Sequence, residues 1–159
     1  MVVTTRRARR SFPWFTDARS SLKDVACVFC EIVRGQAPAH SVFADEVAVA
    51  FLDARPLFPG HVLVVPRTHV TTLTELPAGA VGPFFERVRL VTAAVERGTA
   101  AEGSLLAENN RISQSVPHLH VHVVPRRRRD GLRGFLWPRH RYPDEAEAAR
   151  VAARIREAF

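Results

Sequence analysis

Histidines 118, 120 and 122 alternate with Leu119, Val121 and Val123 in the run Val-Pro-His-Leu-His-Val-His-Val-Val-Pro at 116–125. Successive side chains of a strand point to opposite faces, so this spacing puts three imidazoles on one face and three aliphatic side chains on the other. The aliphatic face reads as core. The imidazole face does not, because every buried ring needs hydrogen-bond partners. Imidazole serves two purposes near neutral pH: it ligates metals, and it acts as nucleophile or general acid–base. Alternate strand residues stand roughly 6–7 Å apart, so three of them reach one ion only by bending inward. A row with divided labour is the easier arrangement. A second feature is Cys27 and Cys30, the chain's two cysteines, set as one C-x-x-C. That spacing excludes a disulfide framework and reads as half a metal site or as a redox motif.

Several elements must position these groups. Residues 41–44 and 47–52 are short β-rich runs separated by Asp45-Glu46, a hairpin signal. After a loop with Pro56, Pro59 and Gly60, residues 61–65 form a third strand that Pro66 stops. From Val81, apolar residues at Phe85, Val88, Val91 and Val95 keep a helical period, and Gly98 stands just past the end as a stop. Residues 104–107 and 118–124 read as two further strands. A last helix starts at the cap candidate Asp144 and carries Ala148, Val151, Ala152, Ile155 and Phe159 on one face. Its acidic residues come early and its arginines late, as the helix dipole favours. Strands clustered as hairpins, with one long helix between them, give an α+β fold with an antiparallel sheet of about five strands. Residues 1–25, with Arg6, Arg7, Arg9 and Arg10, read as a flexible basic arm, and 26–159 as one domain that includes the C-terminal helix.

The chain has 159 residues, 47% of them hydrophobic and 25% charged, as in a folded domain with one real core. No apolar run approaches the roughly 18–20 residues of a membrane span. The basic N-terminal stretch lacks an apolar segment of the secretory type. A cytoplasmic location is the default expectation. The net charge of +7 invites an anionic ligand, but nearly all of it is arginine spread along the chain, which suits a solvated basic exterior as well.

The histidine stretch resembles the H-x-H-x-H signature of the histidine-triad (HIT) family, whose members cut or exchange the α-phosphate bond of nucleotides. The likeness extends upstream. Gln114-Ser115-Val116 looks like the family's phosphate loop. Phe51-Leu52-Asp53 followed by the run at 59–69 looks like its earlier block, and the segment from Cys27 resembles the start of many bacterial members. The match spans about 26–126 in order. Two departures lie on the phosphate side: Ser113 stands where the family usually has Gly, and the Asn-to-Gln loop is shorter than usual.

By this resemblance His120 is the nucleophile, forming a nucleotidylated imidazole that water then cleaves. His122 binds phosphate oxygens and His61 supports the site. Asp53 holds the ribose hydroxyls, and Phe29, Ile32 and Phe51 lie around the base. Gln114, Ser115, and Asn109 or Asn110 donate to phosphate oxygens. The resemblance also implies a structural zinc site made by Cys27, Cys30, His69 and His118, and a homodimer formed through the long helix and sheet edge. The expected substrates are nucleoside phosphoramidates or dinucleoside polyphosphates. Phosphate or a sugar phosphate as acceptor would make the protein a transferase or phosphorylase. A non-catalytic nucleotide-binding module is the reading from another class. The arginines at 126–129 divide between a solvated loop and an anion-attracting rim for polyphosphate or nucleic acid, and residues 134–138 read as a pocket cover or a surface that packs on a partner subunit.

Overall fold

The computed structural model describes residues 27–132 and 142–157. The proposed N-terminal arm, residues 134–138 and Phe159 lie outside the described residues. The chain divides at Pro125/Arg126 into two compact units.

In the first unit, β1 (Ser41–Ala44), β2 (Ala48–Leu52), β3 (Val62–Pro66), β4 (Gly103–Glu108) and β5 (Val121–Arg126) make one sheet in the order β1-β2-β3-β5-β4. The pairs β1–β2, β2–β3 and β3–β5 are antiparallel. Asp45 closes the first hairpin, its Oδ1 accepting the backbone N–H groups of Val47 and Ala48 at 2.9 Å each. This is the local competition with the backbone that favours Asp at turns.

The apolar run at 62–65 does not alternate with polar residues because both faces of the sheet are covered. Val62, Val64, Ala48 and Ala50 pack with Leu119, Val121 and Val123 against Phe84, Val88, Val91 and Val95 of α2 (Ala78–Thr99). Leu63, Val65, Val49 and Phe51 face the other way, toward Cys27 and Phe29 of the short helix α1 (Val28–Val33) and its cap. The face assigned to core from the histidine alternation is thus the one under α2.

The structure departs from the sequence reading in four places. The α1 helix was not anticipated; six residues are too few for a periodic signal. Helix α2 starts at Ala78 and runs through Gly98 to Thr99, and the left-handed cap falls on Ala100 (φ 51°), where the Ala101 N–H reaches the Glu96 carbonyl at 2.9 Å. Phe84, not Phe85, faces the core; Phe85 stands 38% exposed. The β5 ladder begins at Val121 and continues through Pro125 to Arg126, so His118 and His120 stand in the segment leading into it.

In the second unit, α3 (Glu145–Arg156) begins as expected at Asp144, whose side chain accepts the Glu147 N–H at 2.7 Å. Arg126 is tied to Asp130 at 2.5 and 2.8 Å, which holds the Asp130 carboxyl far below its usual range.

Candidate active site and metal cluster

Two clusters meet on the α1 side of the sheet. The first is built by the C-x-x-C. Cys27 caps α1 and Cys30 lies in its first turn, so residues three apart share one helix face. Their thiols meet the imidazoles of His69, in the loop after β3, and His118. The Cys27 Sγ lies 3.6 Å from His118 Nδ1, and Cys30 Sγ lies 3.2 Å from His69 Nδ1 and 3.5 Å from His118 Nδ1. All four donor atoms fall within 4.8 Å of one another, an arrangement that can hold a metal ion. With zinc bonds of about 2.3 Å to sulfur and 2.0–2.1 Å to nitrogen, tetrahedral ligands stand about 3.5 Å apart, so the donor set and spacing fit that ion. The fully buried His118 ring is fixed from behind. Its Nε2–H donates to the Pro66 carbonyl at 3.0 Å, which leaves Nδ1 unprotonated and turned to the thiols. Burial, with repulsion from His69 and His120, takes His118 down to about 4. Burial and the neighbouring Cys27 push the Cys30 thiol up to about 11, a preference that a bound cation would reverse.

The second cluster is the rest of the histidine row with His61 and Asp53. Gly60, in the left-handed region at φ +92°, turns the chain into His61; a Cβ there would stand 2.5 Å from Thr99 Cγ2. A hydrogen-bond chain then sets each tautomer. The Leu57 N–H donates to His61 Nδ1 at 3.2 Å, so the neutral ring carries its proton on Nε2. That Nε2–H donates to His122 Nδ1 at 3.0 Å, which in turn puts the His122 proton on Nε2. Burial lowers His61 in spite of Asp53, whose Oδ2 lies 3.5 Å from His61 Nδ1. Burial, reinforced by repulsion from His120 and His61, brings His122 down to about 4. Both rings are therefore neutral at physiological pH.

His120, 3% exposed, lies between the clusters, its ring centroid 4.9 Å from that of His122 and 5.3 Å from that of Phe29. Its Nδ1–H donates to the His118 carbonyl at 2.7 Å. A carbonyl only accepts, so in the neutral ring Nε2 keeps its lone pair. The row thus offers an unprotonated nitrogen on His120 beside an N–H donor on His122.

The other residues singled out from the sequence are placed as follows. Phe29 and Phe51 are buried edge to face at 5.4 Å, and Ile32 packs half-buried beside them. Asp53 Oδ1 accepts the Arg55 N–H at 2.8 Å. Gln114 spans its loop, accepting from Arg111 N at 2.9 Å and donating to the Thr71 carbonyl at 2.6 Å. Ser115 is exposed and Asn109 half-buried. Asn110 accepts the Leu73 N–H at 2.9 Å and donates to Glu108 Oε2 at 2.7 Å. Glu108 itself escaped the sequence reading; a lone carboxylate closing a strand carries no spacing signal.

The family profile of the HIT domain matches residues 34–129. The chain is 33% identical over 137 residues to adenylylsulfatase HINT3 of Arabidopsis thaliana, covering 82% of this chain and 68% of the relative. It is 32% identical over 126 residues to the adenosine 5′-monophosphoramidase hnt1 of Schizosaccharomyces pombe, covering 78% and 92%. Among solved structures, a zinc-bound histidine-triad protein of Mycobacterium smegmatis is 37% identical, with a TM-score of 0.64 over 84% of this chain and 98% of that one. An antiparallel five-stranded sheet with the histidine row leading into β5 defines a class, the histidine-triad (HIT) fold. The chain belongs to the HIT family.

Proposed function

We propose that this protein cleaves the α-phosphate bond of nucleoside phosphoramidates or related nucleotidyl conjugates, with His120 as the nucleophile. The observation that carries the reading is the 2.7 Å hydrogen bond from His120 Nδ1 to the His118 carbonyl, which leaves Nε2 free to attack. Attack on the α-phosphorus expels the leaving group and leaves the nucleotide on His120. Water then cleaves that intermediate, so one hard displacement becomes two easier ones. His122, its Nε2–H turned outward by His61, donates to a phosphoryl oxygen and stabilises the charge that develops there. Asp53, partly exposed beside His61, is the group for the ribose hydroxyls. Relatives named for adenylylsulfatase and adenosine monophosphoramidase activity support this substrate class.

Cys27, Cys30, His69 and His118 would hold a structural zinc ion, which would fix α1 and the loop after β3 against the segment that carries His120. The protein pairs into a homodimer; exposed Phe85 and Leu90 on α2 and Leu106 on the outer strand β4 support that arrangement.

Turnover of adenosine phosphoramidates and dinucleoside polyphosphates by the wild-type protein and His120→Asn tests the function. Activity confined to the wild type is expected; equal turnover by both contradicts it.

A further inference from the structure

We propose that Glu108 is the acid–base catalyst of the two-step reaction, protonating the leaving group in the first step and taking a proton from water in the second. This deepens the reading of His120 as nucleophile and rests on it.

The sheet order supplies the placement. Strand β5 is flanked by β3 on one side and β4 on the other. On the β3 side, His61 leads into the strand and fixes His122. On the β4 side, the strand ends at Glu108. His120 immediately precedes β5, so its segment enters the sheet beside β4. One carboxylate oxygen is anchored: Oε2 accepts from Asn110 Nδ2, and Asn110 is itself held by the Leu73 N–H. The other, Oε1, is buried and has no hydrogen-bond partner among the described residues. Leaving a buried polar atom unsatisfied destabilises the fold, and a catalytic role is one reason such an atom is kept. Burial also raises the carboxyl above its ordinary range, toward the protonated form that can donate.

A phosphoramidate needs such a group. As His120 Nε2 forms its bond to phosphorus, the P–N bond breaks with its electron pair going to the leaving nitrogen, a poor anion that must take up a proton. Glu108 gives that proton and becomes a carboxylate. In the second step the water oxygen bonds to phosphorus while the P–Nε2 bond breaks and returns its electron pair to His120. The proton released by the water goes to Glu108. Both displacements at His120 run along one line, so water enters where the leaving group departed and one carboxyl serves both. The sum is phosphoramidate plus water to amine plus nucleoside monophosphate, with Glu108 protonated again.

The test compares adenosine 5′-phosphoramidate, whose leaving group needs a proton, with the nitrophenyl ester of adenosine monophosphate, whose leaving group does not. In Glu108→Gln, kcat/KM for the phosphoramidate should fall about 100-fold or more, the usual span of general acid–base catalysis. Release of nitrophenolate should fall less than about 3-fold in its first turnover and then slow, with roughly one nitrophenolate per chain released in a burst and nucleotide accumulating on His120. In Glu108→Ala, formate should restore ester turnover. If the Gln chain does not fold, Glu108→Ala without formate should give the same contrast between substrates. Equal losses on both substrates, or loss on neither, while His120 is still nucleotidylated, would overturn the role of Glu108 alone. No nucleotide on His120 of the wild type with either substrate would overturn the nucleophile as well.

Discussion

His61 and His122 meet at 3.0 Å, Nε2 to Nδ1, and the direction of that bond is fixed from outside by the Leu57 N–H on His61 Nδ1. One backbone donor thereby decides which nitrogen of His122 carries a proton at the site, two rings away. In His61→Ala this constraint is lost and His122 is free to take either tautomer. A kcat loss of about 10- to 100-fold is expected, with KM changed much less, since the misplaced donor acts mainly in the transition state. Steady-state kinetics on a phosphoramidate checks this; a variant that keeps wild-type kcat would show that the tautomer is set elsewhere.

The same burial makes stability depend on pH. His122 titrates near 6.5 unfolded but is brought down to about 4 in the fold. Between these values the unfolded chain binds the extra proton, so stability is present above about pH 6.5 and is lost as pH falls toward 4. Denaturant unfolding across this window should show a shallower slope in His122→Gln, by up to about 1.4 kcal/mol per pH unit. An unaltered slope would place the acid sensitivity on other groups.

For the four-residue cluster, elemental analysis of the purified protein should find about one zinc per chain, absent in Cys27→Ser. A strong chelator should lower the melting temperature by roughly 5–10 °C or more, because the ion binds only the folded arrangement. Metal-free wild type with an unchanged melting temperature would argue that the cluster is held by its hydrogen bonds alone.

Gly60 tests how the chain is delivered to His61. Gly60→Ala should cost about 2–3 kcal/mol, combining the left-handed φ with the 2.5 Å approach to Thr99 Cγ2. Thr99→Ser removes that methyl while keeping a hydroxyl for the Val95 carbonyl, and should recover the steric part in the double variant. Thermal unfolding of the three chains separates the two contributions; additive losses would contradict the close approach.

The histidine row was legible because a period of two leaves no freedom: once Leu119, Val121 and Val123 are core, the imidazoles must face the other way. The five strands and the long helix were legible for the same reason, from repeated apolar spacing. The helix end was not, because Ala100 takes a backbone conformation that usually signals glycine, and Gly98 drew the stop two residues early. Phe84 and Phe85 are adjacent and equally apolar, so only packing against the sheet decides which is buried. The C-x-x-C pointed to a half site, while the proximity of His69 and His118 depends on contacts between elements far apart in sequence. The roles of Asn110 and Gln114 as internal struts, and the buried, unpartnered oxygen of Glu108, arise from tertiary pairing that no local pattern encodes.

The most direct measurement is acid-free quenching of a single turnover followed by intact-mass and peptide mapping. A phosphoramidate substrate should leave one nucleoside monophosphate attached to the peptide carrying His120, labile to acid and missing from His120→Asn. Turnover by the wild type with no such adduct at any time point, or an adduct on another residue, would contradict His120 as the nucleophile.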